Sequence, residues 1–117
     1  MKMHLTPEML EATYDLLKTT PPFRSWKLPD ADDITFEVSR AHDVSGQYLL
    51  RDGKNVIQIS SHCVGRLATL LMVMAHEMIH LREEVFYRSR ADIKHGARFK
   101  RLAKQVCTIH GFEEAIF

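Results

Sequence analysis

At 117 residues, 45% hydrophobic and 26% charged with a net charge of +1, the chain has the make-up of one soluble folded domain spanning residues 1–117, not of a disordered or fibrous segment. Its two cysteines, Cys63 and Cys107, form no CxxC pair, which excludes a disulfide framework or a cysteine-rich zinc ribbon within these residues and points to a reducing, cytoplasmic compartment. No run approaches the roughly 18 apolar residues of a membrane span, and MKMHLTPEML lacks the apolar core and cleavage site of a signal peptide, so no membrane partner is expected.

The first element is a helix beginning near Thr6. Thr6 suits the N-cap, Pro7 the first helical position, and Glu8 and Glu11 the positive end of the helix dipole. Met9, Leu10, Thr13, Tyr14, Leu16 and Leu17 supply its apolar stripe, and Pro21-Pro22 stops it. Residues 23–33 read as a loop whose Trp26 and Leu28 pack back onto the body.

Three short strands follow. Ile34, Phe36 and Val38 alternate with Thr35, Glu37 and Ser39, the period of a half-buried strand. Residues 48–51 and 55–60 are two more, and Asp52-Gly53 between them is a strong hairpin signal. The expectation is a small three-stranded, mainly antiparallel sheet.

From about Val64 the period becomes helical, with Leu67, Leu70, Leu71, Met74, Met78 and Leu81 at spacings of three and four. A polar, irregular stretch is expected over residues 82–94. A last helix then runs from near His95-Gly96 to about His110 on a stripe of Phe99, Leu102, Ala103, Val106 and Cys107, with Gly111 as its C-cap. The fold class is therefore α+β.

The second helix carries His76-Glu77-Met78-Ile79-His80, an H-E-x-x-H motif. Histidines four apart lie one turn apart on one helix face, so both imidazoles can reach one ion. The glutamate between them projects beside the ion, where it can polarise a water. A catalytic zinc site takes three protein ligands and keeps a fourth position open. The metzincin spacing fails, because the positions that would hold glycine and histidine hold Glu83 and Phe86. His95 is the best third ligand, one turn before Phe99 and in line with Leu102 and Val106, facing the core. Glu113, Glu114, His62 and His110 are weaker alternatives.

HEMIH, followed fifteen residues after its second histidine by His95-Gly96-Ala97-Arg98-Phe99, resembles the SprT/Spartan family of metallopeptidases, over about residues 34–110. The resemblance implies a minimal zincin-like domain, with His76, His80 and His95 as Zn2+ ligands and Glu77 as general base. It implies a metalloprotease acting on a protein or peptide substrate, DNA–protein crosslinks being the target of the family's best-known members. Such members often add a zinc ribbon or DNA-binding module, and neither is expected within residues 1–117. Short stand-alone versions resemble those of bacteria and bacteriophages.

Weaker signals complete the reading. A strand over residues 56–60 could hold an extended substrate by adding it to a sheet edge. Tyr87, Arg88 and Arg90 are candidate donors to the oxyanion. Arg88, Arg90, Lys94, Arg98, Lys100, Arg101 and Lys104, opposed only by Asp92, give residues 88–104 a basic character that suits a DNA backbone or a plain solvated face. The main rival to an enzyme is a zinc-stabilised nucleic-acid-binding or adaptor domain without turnover. Glu77 favours the enzyme, because a purely structural zinc site needs no base.

Overall fold

The computed structural model describes residues 3–88 and 95–117. Helix α1 spans Pro7–Lys18 and starts as its residues dictate: Thr6 is extended, and its hydroxyl oxygen accepts from the Met9 N–H at 3.2 Å. Its inner face is Leu10, Tyr14 and Leu17, at spacings of four and three, together with Thr13. Leu16 falls off that face and is 57% exposed, so the apolar stripe is narrower than expected. Two short 3-10 turns, Phe23–Ser25 and Ala31–Asp33, occupy the loop that follows. Trp26 and Leu28 are buried there, as expected.

The strands are β1 (Ile34–Ser39), β2 (Gly46–Arg51) and β3 (Lys54–Ser60). β2 and β3 form the hairpin announced by Asp52-Gly53, both in the left-handed region at φ 53° and 76°. The sheet order is β1-β3-β2, however, and β1 pairs with β3 in parallel, Phe36 opposite Ile57. The sheet is therefore mixed, not mainly antiparallel. β2 supplies the crossover itself: the chain leaves β1, runs back as β2 on the far side, and returns as β3 between the two. The central place of β3 explains its nearly continuous burial at Val56, Ile57, Ile59 and Ser60.

Helix α2 spans Leu67–Tyr87 and is the hub, touching α1, the sheet and the last helix. Leu70, Met74, Met78, Ile79 and Leu81 are fully buried, whereas Leu67 at its start is exposed. The helix continues through residues 82–87, where irregular chain was expected. Its polar side chains there have partners of their own: the Arg82 guanidinium lies 3.7 Å from the centre of the Phe86 ring, one turn on, and donates to the Trp26 carbonyl at 2.6 Å. Arg88, at φ 53°, ends the helix by returning its N–H to the Glu83 and Glu84 carbonyls. The rest of the expected irregular stretch, residues 89–94, lies outside the described residues.

Helix α3, Ala97–His110, packs on α2 through Phe99, Ala103, Val106 and Cys107, and Gly111 at φ 77° caps it. One further turn, Glu114–Ile116, brings Phe117 back onto α2 beside His76. The architecture is α+β. Among the described residues, no helix is long and apolar enough to cross a membrane.

Candidate metal centre

His76 and His80 face the same way from α2, their rings 5.2 Å apart. His95 sits just ahead of α3, where the N-cap Gly96 turns the chain. Its Nε2 stands 3.1 Å from Nε2 of His80, and one nitrogen from each of the three histidines falls within 4.8 Å of the others. Two nitrogens bound tetrahedrally at about 2.0–2.1 Å from one zinc stand roughly 3.3–3.4 Å apart. The His80–His95 pair thus already has nearly ligand spacing. Phe99 forms the platform beneath them: its ring centre is 3.9, 4.6 and 5.0 Å from those of His95, His80 and His76.

The electrostatics favour the uncharged, metal-binding form of these rings. Burial, and next the charge of His95, push His76 down to about 4. Burial, and next the charges of His76 and His95, push His80 down to about 4. Burial also lowers His95. The Nδ1 of His76 lies 3.1 Å from the main-chain oxygen of Phe117. A proton on Nδ1 donated to that oxygen leaves the Nε2 lone pair free, the outer-sphere arrangement that orients metal-bound histidines. The three histidines could hold a metal ion.

Glu77 lies between the two helical histidines and is only 5% exposed. Burial pushes its carboxyl up to about 8, against a partly offsetting hydrogen bond from the Tyr48 N–H. A side chain at Gly46 would obstruct this carboxyl: a Cβ there would sit 3.1 Å from Glu77 Oε2 and 2.7 Å from Val73 Cγ1.

A cleft of about 710 Å³ runs past these groups, lined by β2 from Gly46 to Leu50, by His76, Glu77 and His80, and by His95, Glu84 and Arg88. The strand beside the site is therefore β2. Residues 56–60, expected to present a free edge, belong to the central β3, paired on both sides. Among the described residues, β2 is an edge strand along the cleft, with β3 on its one paired side.

Other sequence candidates separate from the cluster. His62 pairs with His42, at 3.0 Å between ring nitrogens. His110 is held at the far end of α3 by Thr20 and by the Pro21 carbonyl at 2.9 Å. Glu113 and Glu114 are exposed. Among the expected oxyanion donors, Arg88 lines the cleft, Tyr87 lies 3.7 Å beneath the Arg98 guanidinium, and Arg90 is outside the described residues. Of the basic run, Arg88, Lys100, Arg101 and Lys104 are exposed, whereas Arg98 is engaged by Glu83 at 3.2 Å. Phe117, Gly46 and the platform role of Phe99 were not legible as site features. The spacing of Phe99 from His95 was the signal for the last of these, and Phe117 and Gly46 had none.

No curated protein matches the chain. The family model described as SprT-like family matches residues 13–116, nearly the whole chain, and takes in both the HEMIH helix and the His95 segment. The chain belongs to the SprT-like family.

Proposed function

We propose that this protein is a zinc-dependent metallopeptidase of SprT-like type that hydrolyses peptide bonds, those of DNA-associated proteins among them. The observation that carries this reading is the buried carboxyl of Glu77, held between two of three converging histidines at the wall of an open cleft. A buried ionisable carboxyl costs stability, and a metal site that only braced the fold would have no use for it.

The donor set fits zinc: three neutral imidazoles converge, and the outer nitrogen of His76 faces an oxygen acceptor. When bound, zinc supplies Lewis acidity that polarises a peptide carbonyl and acidifies water. The protein's own residues do the rest. Glu77, whose ionised form a cation held by the histidines would favour, takes the proton of the attacking water and delivers it to the leaving amine. Tyr48 holds that carboxyl through its N–H. The edge of β2 receives an extended substrate backbone along the cleft.

Lys100, Arg101 and Lys104, exposed along α3, support an electrostatic contact with DNA. A DNA affinity that did not weaken with added salt would remove that part of the proposal.

The decisive experiment compares the zinc-loaded protein with Glu77→Gln on casein and on a DNA-bound protein. Glu77→Gln should keep zinc and lose chelator-sensitive cleavage. Unchanged cleavage would remove Glu77 from the mechanism. Zinc binding without any cleavage by the parent protein would favour the adaptor reading.

A further inference from the structure

A second, smaller cavity of about 280 Å³ meets the main cleft at Gly46, His76 and Glu77. Its walls come from three separate parts of the chain: Met72 and Val73 on α2, Val44 in the loop before β2, and Ile116 and Phe117 in the closing turn. Among the described residues, Glu77, at the junction with the cleft, is the one acidic side chain lining it, and no lysine or arginine does; Ser45 and Thr69 contribute neutral polar groups. Two of the wall residues, Val44 and Ile116, are 44% and 63% exposed, which leaves apolar surface at the mouth of a concave site.

We propose that this cavity is the subsite for an aliphatic side chain, of leucine, isoleucine or methionine, next to the scissile bond. The inference rests on the peptidase reading above and names the residue that reading leaves open. If Glu77 exchanges protons with the scissile amide, the bond lies within hydrogen-bond reach of its carboxyl. Successive residues of an extended chain are about 3.3–3.6 Å apart, so the side chain flanking that bond emerges beside Glu77, where the cavity opens. The lining settles the chemistry. Among the described side chains, a basic group entering there would find no partner of opposite sign except Glu77, which the reaction needs, and an acidic one would be stripped of water against that same carboxyl. An aliphatic one gains from burial against Met72, Val73 and Phe117.

The test uses the full chain loaded with zinc and a complex peptide mixture, with cleavage sites mapped by mass spectrometry. One position flanking the cut should favour Leu, Ile and Met over Asp and Lys on the order of 10- to 100-fold in kcat/KM. Met72→Phe, which fills the cavity, should shift that position toward Ala and Ser. Ile116→Asp, at an exposed site that disturbs the fold little, should admit Lys and Arg there. Calorimetry gives a readout without turnover. Zinc-loaded Glu77→Gln should bind a peptide with Leu at the mapped position about 10-fold more tightly than the same peptide with Asp. Cleavage with no preference at either flanking position, a preference unchanged in both variants, or equal affinity for the two peptides would overturn the subsite and leave the peptidase standing. No cleavage at all by the zinc-loaded parent would overturn both.

Discussion

The ring of His95 lies parallel to that of Phe99, 3.9 Å away and tilted by only 5°. His95 is exposed and precedes α3, whereas Phe99 is buried one turn into it. A ligand on irregular chain is thus located by an aromatic side chain fixed in the core. The same ring also lies against His80 and His76, so one residue sets the relative placement of all three donors.

Phe99→Leu should therefore separate folding from metal binding. Leucine fills most of the buried volume, so the stability loss should be modest, about 1–2 kcal/mol. The flat platform disappears, and zinc affinity should fall about 10- to 100-fold, the range found when groups that orient metal ligands are removed. Thermal unfolding and competition with a chelating dye measure the two effects separately.

Gly46→Ala tests the approach of β2 to α2. The added Cβ meets the stiff, branched Val73 at 2.7 Å, so the strand or helix must shift. The expected destabilisation is about 1–3 kcal/mol. The nearest polar atom displaced belongs to Glu77, not to a histidine. Hydrolysis should fall by at least 10-fold while the zinc affinity changes little. An equal loss of both would show that the contact supports the whole site and not the carboxyl alone.

The contrast between Thr6 and Phe117 shows what was legible in the sequence. Thr6, Asp52-Gly53 and Gly111 act over a few residues, so the local rules for caps and turns located them correctly, and the HEMIH spacing placed His76 and His80 on one face of α2. The family motif also pointed to His95, which local rules alone left among several candidates. The pairing of β1 with β3 was not legible, because period-two alternation says which face is buried and nothing about which neighbour lies alongside. The unbroken apolar run at Val56 and Ile57 was the available clue that β3 is central. Residues 82–87 looked irregular because their polar side chains hide helix-stabilising partners, Arg82 with Phe86 and Arg98 with Tyr87. Phe117 reaches His76 across 41 positions of sequence with no periodicity to announce it.

The metal-free protein should be most stable near pH 6.5 within the window from about 4.5 to 8. Glu77 is raised from its ordinary 4.5 to about 8. The folded state therefore holds a proton that the unfolded chain has lost, and stability falls as pH rises toward 8. His76 and His80 are lowered from 6.5 to about 4. Below 6.5 the unfolded chain takes up two protons there that the folded state refuses, which outweighs the one favouring Glu77, so stability falls again. Glu77→Gln removes the first effect, and its advantage over the parent should widen from pH 5 to pH 8. Melting temperatures in chelator across this range decide the matter, and a parallel pair of profiles would contradict the burial of the carboxyl.

Zinc affinity should hold up in mild acid. Protons and zinc compete for the same imidazole lone pairs, so a site of ordinary histidines would weaken once the pH fell below 6.5. With His76 and His80 held down to about 4 and His95 also lowered, the histidines should cost little affinity between pH 7 and pH 5 apart from the contribution of exposed His95, and Glu77→Gln isolates that contribution by removing the carboxyl proton that a bound cation would expel. Below about pH 4 each of the two buried ligands should cost tenfold per pH unit, steepening the loss to about a hundredfold for the pair. Phe117 enters through the same lone pairs, because its oxygen selects the His76 tautomer whose Nε2 faces the site. Deleting residues 114–117 should lower zinc affinity at every pH without moving the acid midpoint upward by more than the lost burial of His76 allows. Dye competition at pH 7, 6, 5 and 4 on the parent, the truncated chain and Glu77→Gln measures this, and a Glu77→Gln affinity already falling tenfold between pH 7 and 6 would show that the two helical histidines titrate as exposed groups.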